Sequence, residues 1–175
     1  MIESKQKLVL GGGCFWCLEA IYSRIDGCES ISPGYAAGNT GNPTYTDVCG
    51  GNTGYAEVIE IIYDGAKVSF KSLVEVFFAT HDATTLNRQG NDVGTQYRSI
   101  VCYSNNSEKE IIEDVMANEQ SKLQAPIVTE VIALPAFYPA EIEHHDYYAQ
   151  NTNQSYCQMV IKPKLDKLIQ WKEKQ

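Results

Sequence analysis

Residues 8 to 17 read LVLGGGCFWC. The apolar start, Leu8 to Leu10, is cut off by Gly11, Gly12 and Gly13, the pattern of a buried strand running into a tight turn. Beyond the glycines, Leu18, Ile21, Tyr22 and Ile25 fall on one stripe at 3.6 residues per turn, with Glu19, Ser23 and Asp26 opposite. That spacing predicts an amphipathic helix closing at Asp26 and Gly27. Strand, glycine turn and helix in this order put Cys14 near the helix N-terminus, where unpaired amides and the helix dipole favour an anion. Cysteines so placed have pKa values lowered from about 8.5 into the range ~3.5–7.5, so Cys14 reads as a thiolate nucleophile. On the same wheel Trp16 lies beside Glu19 and Ser23, facing away from the core, where an indole suits the wall of an apolar substrate pocket. Phe15 sits at the edge of the core stripe and fits either role.

Around this stretch, 175 residues suit a single domain over 1–175 that buries its own core. The opening MIESKQKLVLGGG has too short an apolar run for a signal peptide, and no stretch approaches membrane-spanning length, so a cytoplasmic protein is expected. In a reducing compartment the six cysteines read as redox or metal-binding groups and not as a disulfide framework. A net charge of −8 argues against nucleic acid or an anionic membrane as partner, since either would repel the chain.

Along the chain, CESISPGY reads as a strand broken by Pro33 and Gly34, followed by a long turn-rich loop over 33–54. The run YAEVIEIIY, 55–63, is rich in β-branched and aromatic residues and reads as a central strand. Ser72 with Glu75, and Ser107 with Glu110, read as capping boxes opening two helices. A second polar loop, HDATTLNRQGNDVGTQYRS, leads into a strand near 98–103, and another strand is expected near 127–134. PAFYPAEIEHHDYYAQN reads as a helix, with His144, His145 and Asp146 on its solvated face, and KPKLDKLIQWKEK as a last amphipathic helix. The alternation predicts an α+β fold: a two-layer α/β sandwich on a mixed β-sheet, with a ferredoxin-like core and long functional loops.

The segment GGGCFWCLEAIY resembles the A-type peptide methionine sulfoxide reductases, whose signature is Gly-Cys-Phe-Trp at the head of the first helix. GNPTYTDVCGGNTGYAEVI, HDATTLNRQGNDVGTQYRS, FYPAEIEHHDYY and YCQMVIKPK also match that family's blocks, in the same order and across nearly the whole chain. The resemblance implies reduction of the S-epimer of methionine sulfoxide, free or in proteins, by a monomer without a bound cofactor, with thioredoxin as external reductant. It implies that the Cys14 thiolate attacks the sulfoxide sulfur, methionine leaves, and a sulfenic acid remains. The sulfoxide oxygen must gain protons, and the motif match assigns Tyr35, Asp47 and Tyr97 to that task. Phe15 and Trp16 would enclose the substrate methyl group, with Asp92 in support. The family usually carries glutamate at the position that Asp47 occupies in this chain, and the shorter aspartate would need a shifted loop or a bridging water. As a proton donor Asp47 would also need a raised pKa. The resemblance further implies a relay in which Cys157 attacks the sulfenic acid and Cys17 then opens that bridge. Cys28, Cys49 and Cys102 read as structural.

Position alone leaves plainer readings open. Tyr35 and Tyr97 could anchor turns, and Asp47 and Asp92 could be ordinary turn residues. Cys14 and Cys17 have the spacing of half a zinc knuckle, but no second Cys-x-x-Cys accompanies them, so no metal is expected. Strand, Cys-x-x-Cys and helix is also the arrangement of a thioredoxin-like thiol-disulfide oxidoreductase, the alternative function. A protein-binding module anchored on Trp16 would leave Cys14 without a task.

Overall fold

The computed structural model describes residues 5–175; the part of the N-terminal reading that leans on residues 1–4 lies outside them. Strand β1, Lys5–Gly11, and the deeply buried strand β3, Ala56–Asp64, pair antiparallel in the middle of a sheet. With β2, Cys28–Ala36, β6, Ile100–Tyr103, β7, Glu130–Ala133, and β8, Phe137–Pro139, they form the order β7-β6-β1-β3-β2-β8. Only the β6–β7 pair is parallel, so the sheet is mixed. The expected α+β class and mixed sheet are present, and no helix among the described residues is long and apolar enough to cross a membrane.

Pro33 does not break β2, which runs through it for nine residues. Ala140 donates its amide to the Pro33 carbonyl, so the proline nitrogen points the same way, past the end of the short β8 ladder, where no strand needs a donor. Gly34 is required for a different reason. A Cβ there would lie 2.4 Å from both the Phe137 ring and the Tyr138 carbonyl of β8.

Helix α1, Phe15–Tyr22, stops one turn earlier than the stripe predicts, and its "outer" face is not exposed. Glu19 is buried and so is every other residue of α1 except the half-buried Trp16. The cover is the segment read from sequence as one helix over 135–151. It is instead β8, a 3-10 turn Ile142–His144, and the four-residue helix α5, Tyr147–Gln150, which follows the left-handed Asp146 (φ 55°). Burial carries Glu19 up to a pKa of about 7, and the charge of Asp146 adds to that, although backbone amides of Asp146 and Tyr147 pull the other way.

Helix α2, Tyr45–Cys49, interrupts the 33–54 loop. Helices α3, Phe70–Thr80, and α4, Asn106–Gln120, lie where periodicity puts them, but their caps are Ser69 and Asn105, which accept from the amides of Ser72 and Glu108. The second loop folds a small hairpin of β4, Arg88–Gln89, and β5, Asp92–Val93, then a 3-10 turn Thr95–Tyr97. Two hydrogen bonds between the Gln89 side-chain amide and the Asp82 backbone hold this loop, both 2.8 Å. A π-helical turn, Cys157–Ile161, leads into α6, Lys162–Glu173.

The main apolar core lies between the sheet and helices α1, α3, α4 and α6, and a smaller cluster around Val9, Val58 and Ile100 covers the other face. Both faces of the β1 segment 8–11 and of the adjoining part of β3 are therefore covered, leaving the glycine end of β1 as the place where polar chemistry reaches the interior.

Candidate active site

Cys14 is the N-cap residue of α1, in extended backbone conformation. The glycine turn exists so that three segments can close on it. Gly13 adopts φ +89°, a left-handed conformation costly for residues with a Cβ, and its amide donates to the Tyr97 carbonyl at 3.1 Å. A Cβ on Gly12 would come within 2.9 Å of the His81 ring. That ring is fixed by its Nδ1 donating to the Phe77 carbonyl and its Nε2 accepting from Ser99 Oγ at 2.8 Å, and burial lowers its pKa to about 4, so it is neutral.

The first amide of α1 does not serve the thiol. Phe15 N donates to Glu57 Oε1 at 3.1 Å, and Glu57, 1% exposed, sits opposite Tyr35 in the β2–β3 register. Its second oxygen, Oε2, is buried with no hydrogen-bond partner among the described residues. Removal from water raises the Glu57 pKa to about 8, the Asp92 and Cys17 charges adding to the rise while the Phe15 amide opposes it, so the carboxyl is protonated at neutral pH.

The expected Cys14 thiolate is therefore corrected: burial pushes the thiol well above its usual pKa, and the hydrogen bond with Cys17 and the Glu57 charge push the same way, against the Trp16 amide. Cys14 rests as a thiol. Cys17, stabilised by the hydrogen bond from Cys14 in spite of its burial and by the Lys164 and Tyr156 groups, moves down. Of the two neighbouring thiols, the one at Cys14 is pushed up and the one a helical turn away at Cys17 is moved down.

Burial of Glu57 fixes the sign of a pH effect on stability. The folded chain holds its proton up to about pH 8, whereas the unfolded chain releases it near 4.5. Stability contributed by the neutral carboxyl is complete below 4.5, falls by ~1 kcal/mol per pH unit between the two values, and is gone above 8. Glu57→Gln is expected to flatten that part of the profile, read from urea midpoints measured from pH 5 to pH 9.

Among the expected site residues, Tyr97 and Tyr35 are brought to Glu57. Burial raises the Tyr97 phenol first, then the charges of Glu57 and Cys14. Tyr35, fully buried, donates to Glu141 Oε1 at 3.0 Å, and Glu57 also raises its pKa after burial and Glu141. Tyr45, which the sequence reading passed over, joins them. Its backbone amide donates to Glu141 Oε2 at 3.0 Å, and its raised phenol is governed by burial and Cys49, then by Glu57 and Tyr97.

Asp47 is not brought to this cluster. It is exposed on α2 and completes a capping box: Asp47 N donates to Thr44 Oγ1, and Thr44 N to Asp47 Oδ2, both at 3.2 Å. The buried carboxyl in this cluster is Glu57. The sequence offered Glu57 only as one of two glutamates in the central strand YAEVIEIIY, while Thr44-x-x-Asp47 already spelled a cap.

Phe15 is fully buried, 5.7 Å from the Tyr35 ring and 5.5 Å from His144. Trp16 lies flat on Tyr147, centroids 3.7 Å apart and planes at 8°, and its Nε1 donates to His144 Nδ1 at 3.2 Å. His144 is thus a buried acceptor, not part of a solvated face. A cavity of about 600 Å³ opens onto Cys14 and Cys17. Its walls are Asp92 and Gly90 of the hairpin on one side, and Tyr156, Met159, Val160, Pro163 and Lys164 on the other. Tyr156 reaches across it, donating to Asp92 Oδ2 at 2.6 Å with its oxygen 3.8 Å from Cys17 Sγ. Cys157 is fully buried beside this wall, and Cys17 is the thiol whose charge acts on it. All six cysteines are free, and no group of three or more metal-ligating side chains occurs among the described residues.

The sequence profile described as Peptide methionine sulfoxide reductase matches residues 6–175. The chain belongs to that family. It is 51% identical over 165 residues to Peptide methionine sulfoxide reductase MsrA of Chromobacterium violaceum, covering 93% of this chain and 94% of that one. Among solved structures it is similar to Mxr1 of Saccharomyces cerevisiae in reduced form, with 31% identity, TM-score 0.83, and 88% and 90% of the two chains covered. The same yeast protein in complex with Trx2 gives 22% identity and TM-score 0.59 over 82% and 85%, a likeness of fold alone.

Proposed function

We propose that the protein reduces the S-epimer of methionine sulfoxide, free and in proteins, to methionine. The observation that carries the reading is the pairing of a buried Cys14 thiol, open to a cavity, with a Glu57 carboxyl that keeps its proton to about pH 8. Cys14 Sγ attacks the sulfoxide sulfur while the oxygen takes a proton from Glu57, and Tyr97 and Tyr45 supply hydrogen bonds to that oxygen. The thiol proton replaces the one Glu57 gives up. Methionine departs and the oxygen stays on Cys14 as a sulfenic acid, so thiol plus sulfoxide balances sulfide plus sulfenic acid. Asp92 lines the cavity across from Tyr156 and the apolar side chains of Met159, Val160 and Pro163, which suit the aliphatic part of a methionine side chain.

Resolution runs through Cys17 first. Cys17 shares the cavity with Cys14, and Cys157 does not line it, an arrangement favouring the order Cys17 then Cys157 over the reverse. The Cys14–Cys17 bridge is then opened by Cys157, leaving a Cys17–Cys157 disulfide. The π-helical turn that begins at Cys157 is the segment that must open for thioredoxin, the proposed reductant, to reach it. Free cysteines throughout suit a reducing cytoplasm, and no bound cofactor is needed by these steps. The succession β1, α1, β2, β3, α3, β6 with spatial order β6-β1-β3-β2 supports a ferredoxin-like core within one domain.

The test is a single turnover. Reduced protein given L-methionine-S-sulfoxide without other reductant releases one methionine and loses thiols, and the R-epimer gives far less. Insulin-disulfide reduction with no sulfoxide turnover would instead favour the thiol-disulfide oxidoreductase.

A further inference from the structure

The wall of the cavity facing the two thiols holds a cation that the steps above do not use. Lys164, in the first turn of α6, is half-buried and lines the same cavity as Cys14, Cys17, Asp92 and Tyr156. It has no hydrogen bond or ion pair with a described residue, whereas the other lysine of that wall, Lys167, is exposed on the next turn. A half-buried lysine that forms no ion pair is favoured by negative charge in the cavity it lines, and Asp92 is the one carboxylate among the described residues there. The groups that face it are few. Cys14 and Cys17 lie on α1, Asp92 on β5, Tyr156 on the π-helical side, Lys167 on α6 itself, and the neutral His81 ring at the end of α3. Glu57 stands behind Cys14, and Cys157 behind Cys17. Asp92 already accepts from Tyr156, which leaves the thiol pair as the place where new negative charge appears.

We propose that Lys164 is the electrostatic positioning residue for the resolving step, holding Cys17 as a thiolate poised to attack the Cys14 sulfenic acid. This rests on the reading of Cys14 as the sulfur that takes the oxygen. In that step the Cys17 thiolate forms an S–S bond to Cys14 Sγ and the Cys14 S–O bond breaks. Hydroxide leaves and is protonated to water, with Cys17 oxidised and the sulfenic sulfur reduced. The Lys164 ammonium stabilises the thiolate before attack and lies in the same cavity as the hydroxide when it departs. Burial lowers the Lys164 pKa while the Cys17, Asp92 and Cys14 charges hold it up, a balance that keeps the cation dependent on the thiols it faces.

The experiment titrates Cys17 with no sulfoxide present. In full-length protein carrying Cys14→Ser and Cys157→Ser, the hydroxyl introduced at position 14 keeps a donor beside Cys17. Alkylation of Cys17 by iodoacetamide, followed by peptide mass spectrometry, is measured from pH 5 to pH 10 in that background with Lys164 intact, with Lys164→Met and with Lys164→Arg. Lys164→Met is expected to shift the midpoint up by about one unit, roughly tenfold slower alkylation below it, and Lys164→Arg to restore it. The midpoint separates loss of charge from altered access, which changes only the plateau. Equal midpoints for lysine and methionine would overturn the proposal, as would an arginine that behaves like methionine. A second arm gives the enzyme with all its cysteines one equivalent of the S-sulfoxide. Dimedone-trapped Cys14 sulfenic acid is expected to accumulate about tenfold more in Lys164→Met than with lysine; equal trapping would also overturn the proposal. Absence of any methionine release with lysine in place would sink the sulfoxide reading and leave the alkylation result standing.

Discussion

Glu57→Gln is expected to slow methionine release in a single turnover by ~10²–10⁴-fold, the usual contribution of a positioned general acid. Glutamine keeps the shape and can still accept from Phe15 N through its carbonyl oxygen, so the head of α1 stays anchored. What disappears is the proton. Oε2, buried with no close hydrogen-bond partner among the described residues, is the atom placed to carry it, and an amide cannot give it up. Asp47→Asn, by contrast, should cost only the fraction of a kcal/mol expected for a weakened exposed cap, with release unaffected, because Asp47 is occupied by Thr44 at the start of α2. Rapid-quench assays of the two variants side by side separate the two carboxylates.

Cys14→Ser is the other large effect: methionine release should fall to background while the fold persists. Serine replaces the large polarisable sulfur by a smaller oxygen, and its hydroxyl is a far weaker nucleophile at neutral pH. The substitution leaves Cys17 and Cys157 in place, so residual thiol-disulfide exchange in this variant would show that these two are redox-competent without the first sulfur. Thermal denaturation within a few degrees of the parent protein confirms that the loss is chemical.

The elements that periodicity made legible are those whose partners do not alter their pattern. LVLG, YAEVIEIIY and IVCY became β1, β3 and β6, and the α3 and α4 stripes became helices with only their caps displaced. The misread elements are those shaped by a distant neighbour. AEIEHHDYYAQN carries helical spacing, but Phe137–Pro139 is drawn into the sheet by β2, and the rest folds over α1. That same cover made Glu19 buried and turned His144 from an expected surface residue into the acceptor for Trp16.

At the site, the motif GGGCFWC located the sulfur, but its ionisation was read from the helix terminus alone. The structure adds the competing facts that Glu57 takes the Phe15 amide and that burial outweighs the remaining donors. Neither is local in sequence, since Glu57 lies 42 residues from Phe15. Asp92 and Tyr97 were found through the match of their loop to the family's blocks, whereas Tyr45 emerges only from its folded neighbours Glu141 and Phe15, and Lys164 only from the cavity wall.

Catalysis turns on a protonated Glu57 acting with a protonated Cys14, and the pH dependence of single-turnover methionine release tests this most directly. Because the active site must hold both protons, the rate is expected to be level at neutral pH and to fall as pH rises through about 8, with the break absent in Glu57→Gln. A rate that climbs through pH 8 in the parent protein, or a break that survives in Glu57→Gln, would contradict it.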